Sequence, residues 1–478
     1  MASNIISYIY KFAERILTHA TTFIVSIVLA RLLTPTDYGT LSIIMVFITF
    51  SQVLIDGGLS SSLIQKKIVD KQDYDTTLSI TIYLAILIYV VLAFCAGFIE
   101  SWLNMEGLAT YLRIVSLSLF PAAYLSVIKA KLVREMRFKV QMYVTFIGSI
   151  LSGLLGIWMA YSGYGIWALI AQQISNTVFL FLLFVISIKW LPSIKFRIEW
   201  GRAKVLYDYG WKVMTTNLLV RGNNEIVSLA IGQHFSKASL GLYDRGKQFP
   251  QAASENIDAT IQSVLFPILS RCQNDIAQLR DKTRNMQVFG AYLLFFILAI
   301  VAGASPTYIP LLLTEKWQGC IPFLMSWVIC YLPNVYTIIA TTAINSVGYS
   351  SMTLKRQIIT SIPSLLIVLI VVAFSKDVFN VMITKIILVP FMFFVTAYYL
   401  KKAIGYGYVN QILDLLPSLV AAIGVFFVLY FMNGINLHPV VILCAQCITS
   451  ILVYGAVSIL FKMKGMKLII AVLLKKNV

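Results

Sequence analysis

The sequence predicts an all-α integral membrane protein of about fourteen transmembrane helices, and three observations carry that prediction. The 478 residues are 59% hydrophobic and only 12% charged, with a mean hydropathy of +0.84. A soluble domain would carry about twice that share of charge. Apolar runs of about 20 residues, the length that crosses a bilayer, recur from end to end. Finally, the net charge of +18 is unevenly spread. Alternate connections hold 26 Lys or Arg, against three (Lys237, Lys316 and Lys376) in the others. That asymmetry is the positive-inside signature of an even number of crossings, with the N and C termini in the cytoplasm. Basic charge concentrated in short connections also argues against a nucleic-acid partner.

Taken in order, the spans read 8–32, 38–64, 77–100, 108–129, 140–161, 165–188, 206–232, 240–268, 286–313, 320–346, 355–375, 378–400, 411–432 and 438–461. The first contains Lys11, Glu14 and Arg15 and lacks the uninterrupted apolar stretch of a cleaved signal. The third, fifth and sixth have no ionised residue in their middles. The longest polar gap follows, near 190–204. The seventh and eighth are the most charged, with Arg221 and Glu225 in one and Asp244, Arg245, Lys247, Glu255 and Asp258 in the other. Prolines at 121, 250, 333, 363 and 390 remove backbone donors and are expected to kink their helices. Cys444 and Cys447 sit in an apolar run without a His or carboxylate cluster, so they read as packing, and no metal or cofactor is expected. The tail 462–478 alternates Lys with apolar residues and reads as an interfacial helix on anionic membrane lipids.

At an offset of 202 the chain matches itself. Gly39 falls on Gly241, Ile55-Asp56 on Ile257-Asp258, Ser61 on Ser263, Leu63 on Leu265 and Asp73 on Asp275. The offset spans six helices, an even number, so the halves run parallel, as in transporters whose site lies at the repeat interface. The expected division is an N-lobe at 1–204, a C-lobe at 205–402, and two further helices with the tail at 403–478.

Polar stripes single out the repeat-related helices one, two, seven and eight. Residues at i, i+3, i+4 and i+7 share a helix face. Arg15, His19, Thr22 and Ser26 do so, as do Thr49, Gln52, Asp56 and Ser60; Asn217, Arg221, Asn224 and Ser228; and Asp244, Gln248, Gln251, Glu255, Asp258 and Gln262. A charge near mid-bilayer costs at least about 2.5–3.5 kcal/mol unless it faces protein or water. Four such faces predict one aqueous cavity between two lobes. Alternatively, the charges pair among themselves and only hold the lobes together. Arginine offers a fixed fork suited to phosphate. The candidate substrate residues are therefore Arg15, His19, Asn217, Arg221, Asn224, Arg245, Lys247 and Gln248, for a diphosphate and sugar. The candidates for ion coupling are Glu14, Asp56, Glu225, Glu255 and Asp258. Tyr207, Tyr209, Trp211, Tyr243 and Phe249 are the aromatics available to sugar ring faces.

Three motifs carry a family resemblance. ARLLTPTDYGTLSIIMVFITFSQVLIDGGLSSSLIQKK (30–67) resembles the first signature of bacterial polysaccharide exporters, an A-R-x-L helix end, a T-P-x-D-Y/F-G turn, then D-x-G-L-S-x-x-L-I-Q. LAIGQHFSKASLGLYDRGKQFPQ (229–251) is similar to the signature of the second half, and LTEKWQGCIPFL (313–324) to the K-W-x-x-x-x-P-x-L turn before helix ten. The family is the polysaccharide transporter branch of the multidrug/oligosaccharidyl-lipid/polysaccharide exporters, which includes Wzx-type O-antigen flippases. The resemblance implies two six-helix bundles with alternating access, in the bacterial inner membrane. It implies an undecaprenyl-diphosphate-linked oligosaccharide as substrate, H+ or Na+ as coupling ion, and other polysaccharide-assembly proteins as partners. The run R-G-N-N-E at 221–225 departs from the more apolar helix seven expected of the family.

The sequence thus predicts a lipid-linked oligosaccharide flippase rather than an enzyme. A MATE-like exporter of small cations is disfavoured by two deep arginines. A membrane polysaccharide polymerase or glycosyltransferase would need a sizeable extracytoplasmic loop, whereas Ser162–Tyr164 and Asn433–Leu437 are short.

Overall fold

Every element among the described residues is helical. The computed structural model describes residues 2–195, 198–272 and 275–473. They form two compact units, Met1–Gly241 and Leu242–Val478.

The first unit begins with α1 (Ala2–Leu32) and α2 (Pro35–Asp56). The turn between them follows from the T-P-x-D motif. Asp37 N–H donates to Thr34 Oγ1 at 3.3 Å and Thr34 N–H donates back to Asp37 Oδ2 at 2.9 Å, with Pro35 in the first turn, where a missing N–H costs nothing. Gly57 and Gly58, at φ 53° and 73°, end α2 and start the short α3 (Leu59–Gln65). No other residue type takes two successive left-handed positions so readily, so the predicted second span is broken there. The next helix, α4 (Lys71–Leu103), starts on a second capping box, Asp70 with Asp73. Then come α5 (Leu108–Ser116) and α6 (Leu119–Arg134), α7 (Phe138–Tyr161), α8 (Ile166–Ile188) and the 35-residue α9 (Trp200–His234). One core ties α1 to α7 and α8 through Val25, Leu29, Ala160 and Leu169. Another joins α6, α7 and α8 through Ile128, Val144, Leu180 and Phe184. The last long helix to start in this unit is α10 (Lys237–Arg271).

The loops of this unit are held by ionic contacts. Arg134, at the end of α6, donates to the carbonyls of Leu63, Ile64 and Lys67 at 3.0, 3.2 and 2.7 Å, and to that of Lys66. Asp73 is 1% exposed and pairs with Lys66 at 2.7 Å and with Arg202 at 3.2 Å. The segment after α8 docks along α4, where Ser193 N–H donates to Asp75 at 2.8 Å and Lys195 N–H to Ser79 Oγ at 2.8 Å.

The second unit continues from α10 into α11 (Ile276–Gly303), α12 (Ser305–Leu313), a 3₁₀ turn at Glu315–Cys320, α13 (Ile321–Tyr331), α14 (Asn334–Ser346), α15 (Ser350–Phe374), α16 (Val378–Ile404), α17 (Tyr408–Met432), α18 (Pro439–Leu460) and α19 (Lys464–Leu473). Arg284 of α11 grips Asp414 of α17 through two parallel bonds at 2.5 and 2.8 Å. The tail helix α19 packs on α11, where a Cβ on Gly465 would lie 2.6 Å from Tyr292.

Among the described residues, eleven helical segments are long and apolar enough to cross a membrane. The three remaining expected spans correspond to α1, α9 and α10, the helices with charged stripes. At about 1.5 Å per residue, α9 and α10 are each roughly 52 Å long, beyond the ~30 Å of a hydrocarbon core. The helical path is interrupted near Pro121, between α5 and α6, and at Pro333, between α13 and α14. Through Pro250, Pro363 and Pro390 the helices run on unbroken. In those three the lost donor does not end the helix.

Candidate functional site

Four helices of the first unit enclose a cavity of about 400 Å³. α2 contributes Gln52, Val53, Ile55 and Asp56. α6 contributes Ala122, Leu125, Ser126 and Lys129, α8 contributes Gln173, Asn176, Thr177 and Leu180, and α9 contributes Asn217 and Arg221. On α6, α8 and α9 these residues fall at i, i+3, i+4 or i+7, so each helix turns one face inward. The size sits toward the small end of ligand pockets, roughly 300–1,000 Å³, which suits a headgroup more than a whole oligosaccharide.

The cavity is polar and not self-neutralised. Asp56 accepts a hydrogen bond from Ser60 Oγ, across the glycine break. Arg221 is exposed, and among the described residues no ion pair or hydrogen bond engages its guanidinium. The side-chain amides of Gln52, Gln173 and Asn217 likewise have no protein partner among the described residues. Asn176 Oδ1 accepts from Ser152 Oγ at 3.4 Å, which leaves its Nδ2 donors for the cavity. Among the described residues no aromatic lines it.

Backbone contacts bring α9 and the start of α10 against α2 and α3. A Cβ on Gly58 would meet Gly210 O at 2.1 Å, and Ser62 Oγ donates to Leu206 O at 2.7 Å. At the far end of α2, a Cβ on Gly39 would meet Lys237 O at 1.8 Å, and one on Gly241 would meet Pro35 O at 2.0 Å. Gly39 and Gly241 are the pair matched by the internal repeat, and here they meet face to face.

The other predicted residues of this unit lie elsewhere. Glu14 is buried against α7 and accepts from Gln141 at 3.4 Å. His19 and Asn224 are exposed, and Glu225 is half-buried on α9. The Arg15 side chain lies outside the described residues. Tyr207, Tyr209 and Trp211, expected to offer ring faces, are exposed on α9 rather than lining the cavity.

In the second unit the charges of α10 lie among aromatic rings. Arg245 is 4% exposed, stacks over Trp317 at 5.4 Å and Phe249 at 6.0 Å, and donates to Gln248 at 2.6 Å. Lys247 and Lys385 both approach the ring of Trp327, at 5.4 and 4.4 Å, and Lys385 also approaches Tyr243 at 5.5 Å. Such cation–ring contacts are worth about 0.5–2 kcal/mol each. Asp258 is buried and accepts from Ser254 at 3.2 Å and from Asn334. Glu255 accepts from Gln251 at 2.7 Å.

Sequence reasoning passed over Lys129, Ser126, Gln173 and Asn176 on the cavity wall, and Lys385 in the aromatic cluster. The first four were legible in principle. Asn176 and Thr177 stand three and four residues after Gln173, on one face of α8, but Gln172 and Ser175 beside them blur that stripe. Lys385 stands alone in an apolar helix, and nothing in its spacing points to Trp327.

Comparison with known proteins decides the family. Residues 28–322 match the family model described as polysaccharide biosynthesis protein, well over half of the chain. This chain belongs to that family. Among curated relatives it is 23% identical over 315 residues to an uncharacterized membrane protein in the cps region of Klebsiella pneumoniae, covering 63% of this chain and 62% of that one. It is 22% identical over 259 residues to the succinoglycan biosynthesis transport protein ExoT of Rhizobium meliloti, covering 54% and 52%. The chain thus spans between half and two thirds of the length of these relatives. Among solved structures, the lipid II flippase MurJ in an inward closed conformation matches with a TM-score of 0.71 at 15% identity, over 96% of this chain and 98% of that one. The fold is therefore MurJ-like, and the polysaccharide biosynthesis family member described here is a multi-pass membrane protein.

Proposed function

We propose that this chain is a flippase that carries a polyprenyl-diphosphate-linked oligosaccharide across the bacterial inner membrane by alternating access. The observation that carries the reading is the cavity within the first unit, where, among the described residues, no ion pair or hydrogen bond engages the Arg221 guanidinium and a set of amides lies beside it. A charge at membrane depth is costly unless protein, an anion or water meets it. A diphosphate supplies that anion, and the amides suit the sugar attached to it. ExoT is named a transport protein of succinoglycan biosynthesis and MurJ a flippase of lipid II, which supports the same class of cargo for this chain.

On this reading α1, α9 and α10 also cross the membrane, giving fourteen crossings with both termini cytoplasmic. The lobes run over 1–204 and 205–402, with 403–478 appended, and they rock about the repeat axis. Arg221 is the principal diphosphate contact, and Lys129 extends the positive wall. Arg15, His19, Asn224 and Lys247 are further substrate contacts. Arg245 and Gln248, bonded to each other, hold the α10 end of the path. Glu14, Asp56, Glu225, Glu255 and Asp258 remain candidates for proton or sodium coupling. The activity is transport without catalysis, alongside other polysaccharide-assembly proteins.

The test is reconstitution in vesicles with a fluorescent undecaprenyl-diphosphate oligosaccharide in one leaflet. Wild-type protein should move the label to the other leaflet. Failure to move it, with the protein correctly inserted, would overturn the proposal.

A further inference from the structure

The cavity wall formed by α8 has no charge, so phosphate recognition does not explain it. Gln173 and Asn176 sit one turn apart on one face of α8, and both open into the cavity. Gln52 of α2 and Asn217 of α9 open into the same space. Each primary amide offers two N–H donors and a carbonyl acceptor. Gln52, Gln173 and Asn176 are half-buried and Asn217 is exposed, so all four amides stay open to whatever fills the cavity. Their presence therefore implies a ligand that donates and accepts in turn, which sugar hydroxyls and acetamido groups do and an acyl chain does not.

Three details narrow the ligand. Asn217 lies one turn from Arg221 on the same face of α9, so the groups these two side chains contact are near neighbours in the cargo. The described lining residues include no aromatic, so what they offer a sugar is hydrogen bonding and not ring stacking. Asn176 Oδ1 has Ser152 Oγ at 3.4 Å, a contact that leaves the Asn176 Nδ2 donors uncommitted and able to meet an acceptor such as an acetamido carbonyl.

We infer that Gln173 and Asn176, with Gln52 and Asn217, form a hydrogen-bonding subsite for the sugar attached directly to the diphosphate, and that this subsite selects among glycans. The inference rests on the flippase reading and deepens it. Lipid-linked sugars differ at that first residue in hydroxyl orientation and acetamido substitution, so the subsite discriminates by hydrogen-bond pattern. A site built to bond polar groups rejects an analogue lacking them more strongly than an apolar pocket rejects a larger one.

The experiment measures binding of two probes to the purified full chain in detergent, undecaprenyl diphosphate alone and undecaprenyl diphosphate bearing one N-acetylglucosamine. The variants are Gln173→Met and Asn176→Leu, which keep volume and remove the amides, with Arg221→Ala as the reference. The expected result is that the α8 variants bind the bare lipid diphosphate as wild type does. Their affinity for the sugar-bearing probe should fall by about fivefold to tenfold per amide. Arg221→Ala should weaken both probes together. Equal loss of both probes in the α8 variants, or no loss of either, overturns the subsite. If wild type binds neither probe, the flippase reading itself fails. Should an apolar variant fail to fold, Gln173→Glu and Asn176→Asp retain polarity and size. These change the donor pattern, and an unchanged ratio of the two affinities in them overturns the proposal equally.

Discussion

Arg221 and Arg245 are the same residue type, about one helix apart in sequence, and the two units treat them oppositely. In the first unit Arg221 opens into a cavity of amides, with no anion against it among the described residues. In the second, Arg245 is 4% exposed, stacked over Trp317 and bonded to Gln248. A third arginine, Arg202, at the head of α9, is held by Asp70 at 2.8 Å and by Asp73 at 3.2 Å. The lesson is that a charge in an apolar sequence marks a place that needs explaining, without saying which explanation holds. Aromatic packing, an ion pair and an open cavity each remove the cost, and only the open cavity leaves binding capacity over.

The contrast can be broken from either side, and the largest effect is expected in the aromatic cluster. Trp317 is fully buried, and Trp317→Ala should cost about 3–5 kcal/mol of stability, seen as a lower melting temperature in detergent. Transport per correctly folded molecule should fall less than in Arg221→Ala, because the Gln248 bond still holds Arg245. A collapse to the Arg221→Ala level would show that the ring, and not that bond, positions Arg245. Arg221→Ala should do the reverse, because a charge-assisted bond to phosphate is worth roughly 1.5–3 kcal/mol. Substrate affinity should fall about tenfold to a hundredfold with the melting temperature unchanged, and Arg221→Lys should restore part of it. Vesicle assays on protein matched for insertion would decide this.

Smaller effects sharpen the picture around α9. Gly39→Ala sets a Cβ 1.8 Å from Lys237 O, where backbone must move. Overpacking of this kind costs about 1–3 kcal/mol, so the close contact of α2 with the start of α10 should loosen. A cysteine pair flanking it should then cross-link more slowly than in wild type, and an unchanged rate would refute the close approach. The smallest effect belongs to Asp70. The backbone N–H of Asp73, and with it the Arg202 guanidinium, hold the Asp70 carboxyl below its ordinary value. A depressed carboxylate contributes stability above its ordinary range and loses that contribution as pH falls through the lowered value. Asp70→Asn should therefore lower the melting temperature slightly at neutral pH and converge with wild type in acid. Divergence toward low pH would contradict this sign.

Much of the architecture was legible in the chain. The T-P-x-D turn was read from its motif, whereas the Gly57-Gly58 break, inside the span expected at 38–64, and the capping box at Asp70 were not, although both are local events. The eleven apolar helices were plain. Where the reading otherwise fell short, the cause was non-local. Pro121 and Pro333 lie at helix interruptions while Pro250, Pro363 and Pro390 do not, because a lost donor can be absorbed by the surroundings. The aromatics Tyr207, Tyr209 and Trp211 sit on the right helix but not on the cavity wall. The amides of α8 were visible yet ambiguous, since a polar residue in an apolar helix can as readily bond a neighbouring helix.

The sequence alone determined that this is a polytopic, all-helical membrane protein with an internal repeat and charged stripes on α9 and α10. Hydrophobic length, charge asymmetry and short-range capping are written residue by residue. The tertiary structure decided which charges remain available. It set Arg245 against Trp317, tied Arg202 to Asp70 and Asp73, and left Arg221, with Asn217 beside it, in a cavity shared with Gln52 and Asn176. Those outcomes depend on which helices become neighbours, and helix periodicity says only which face a side chain takes, not what stands opposite it.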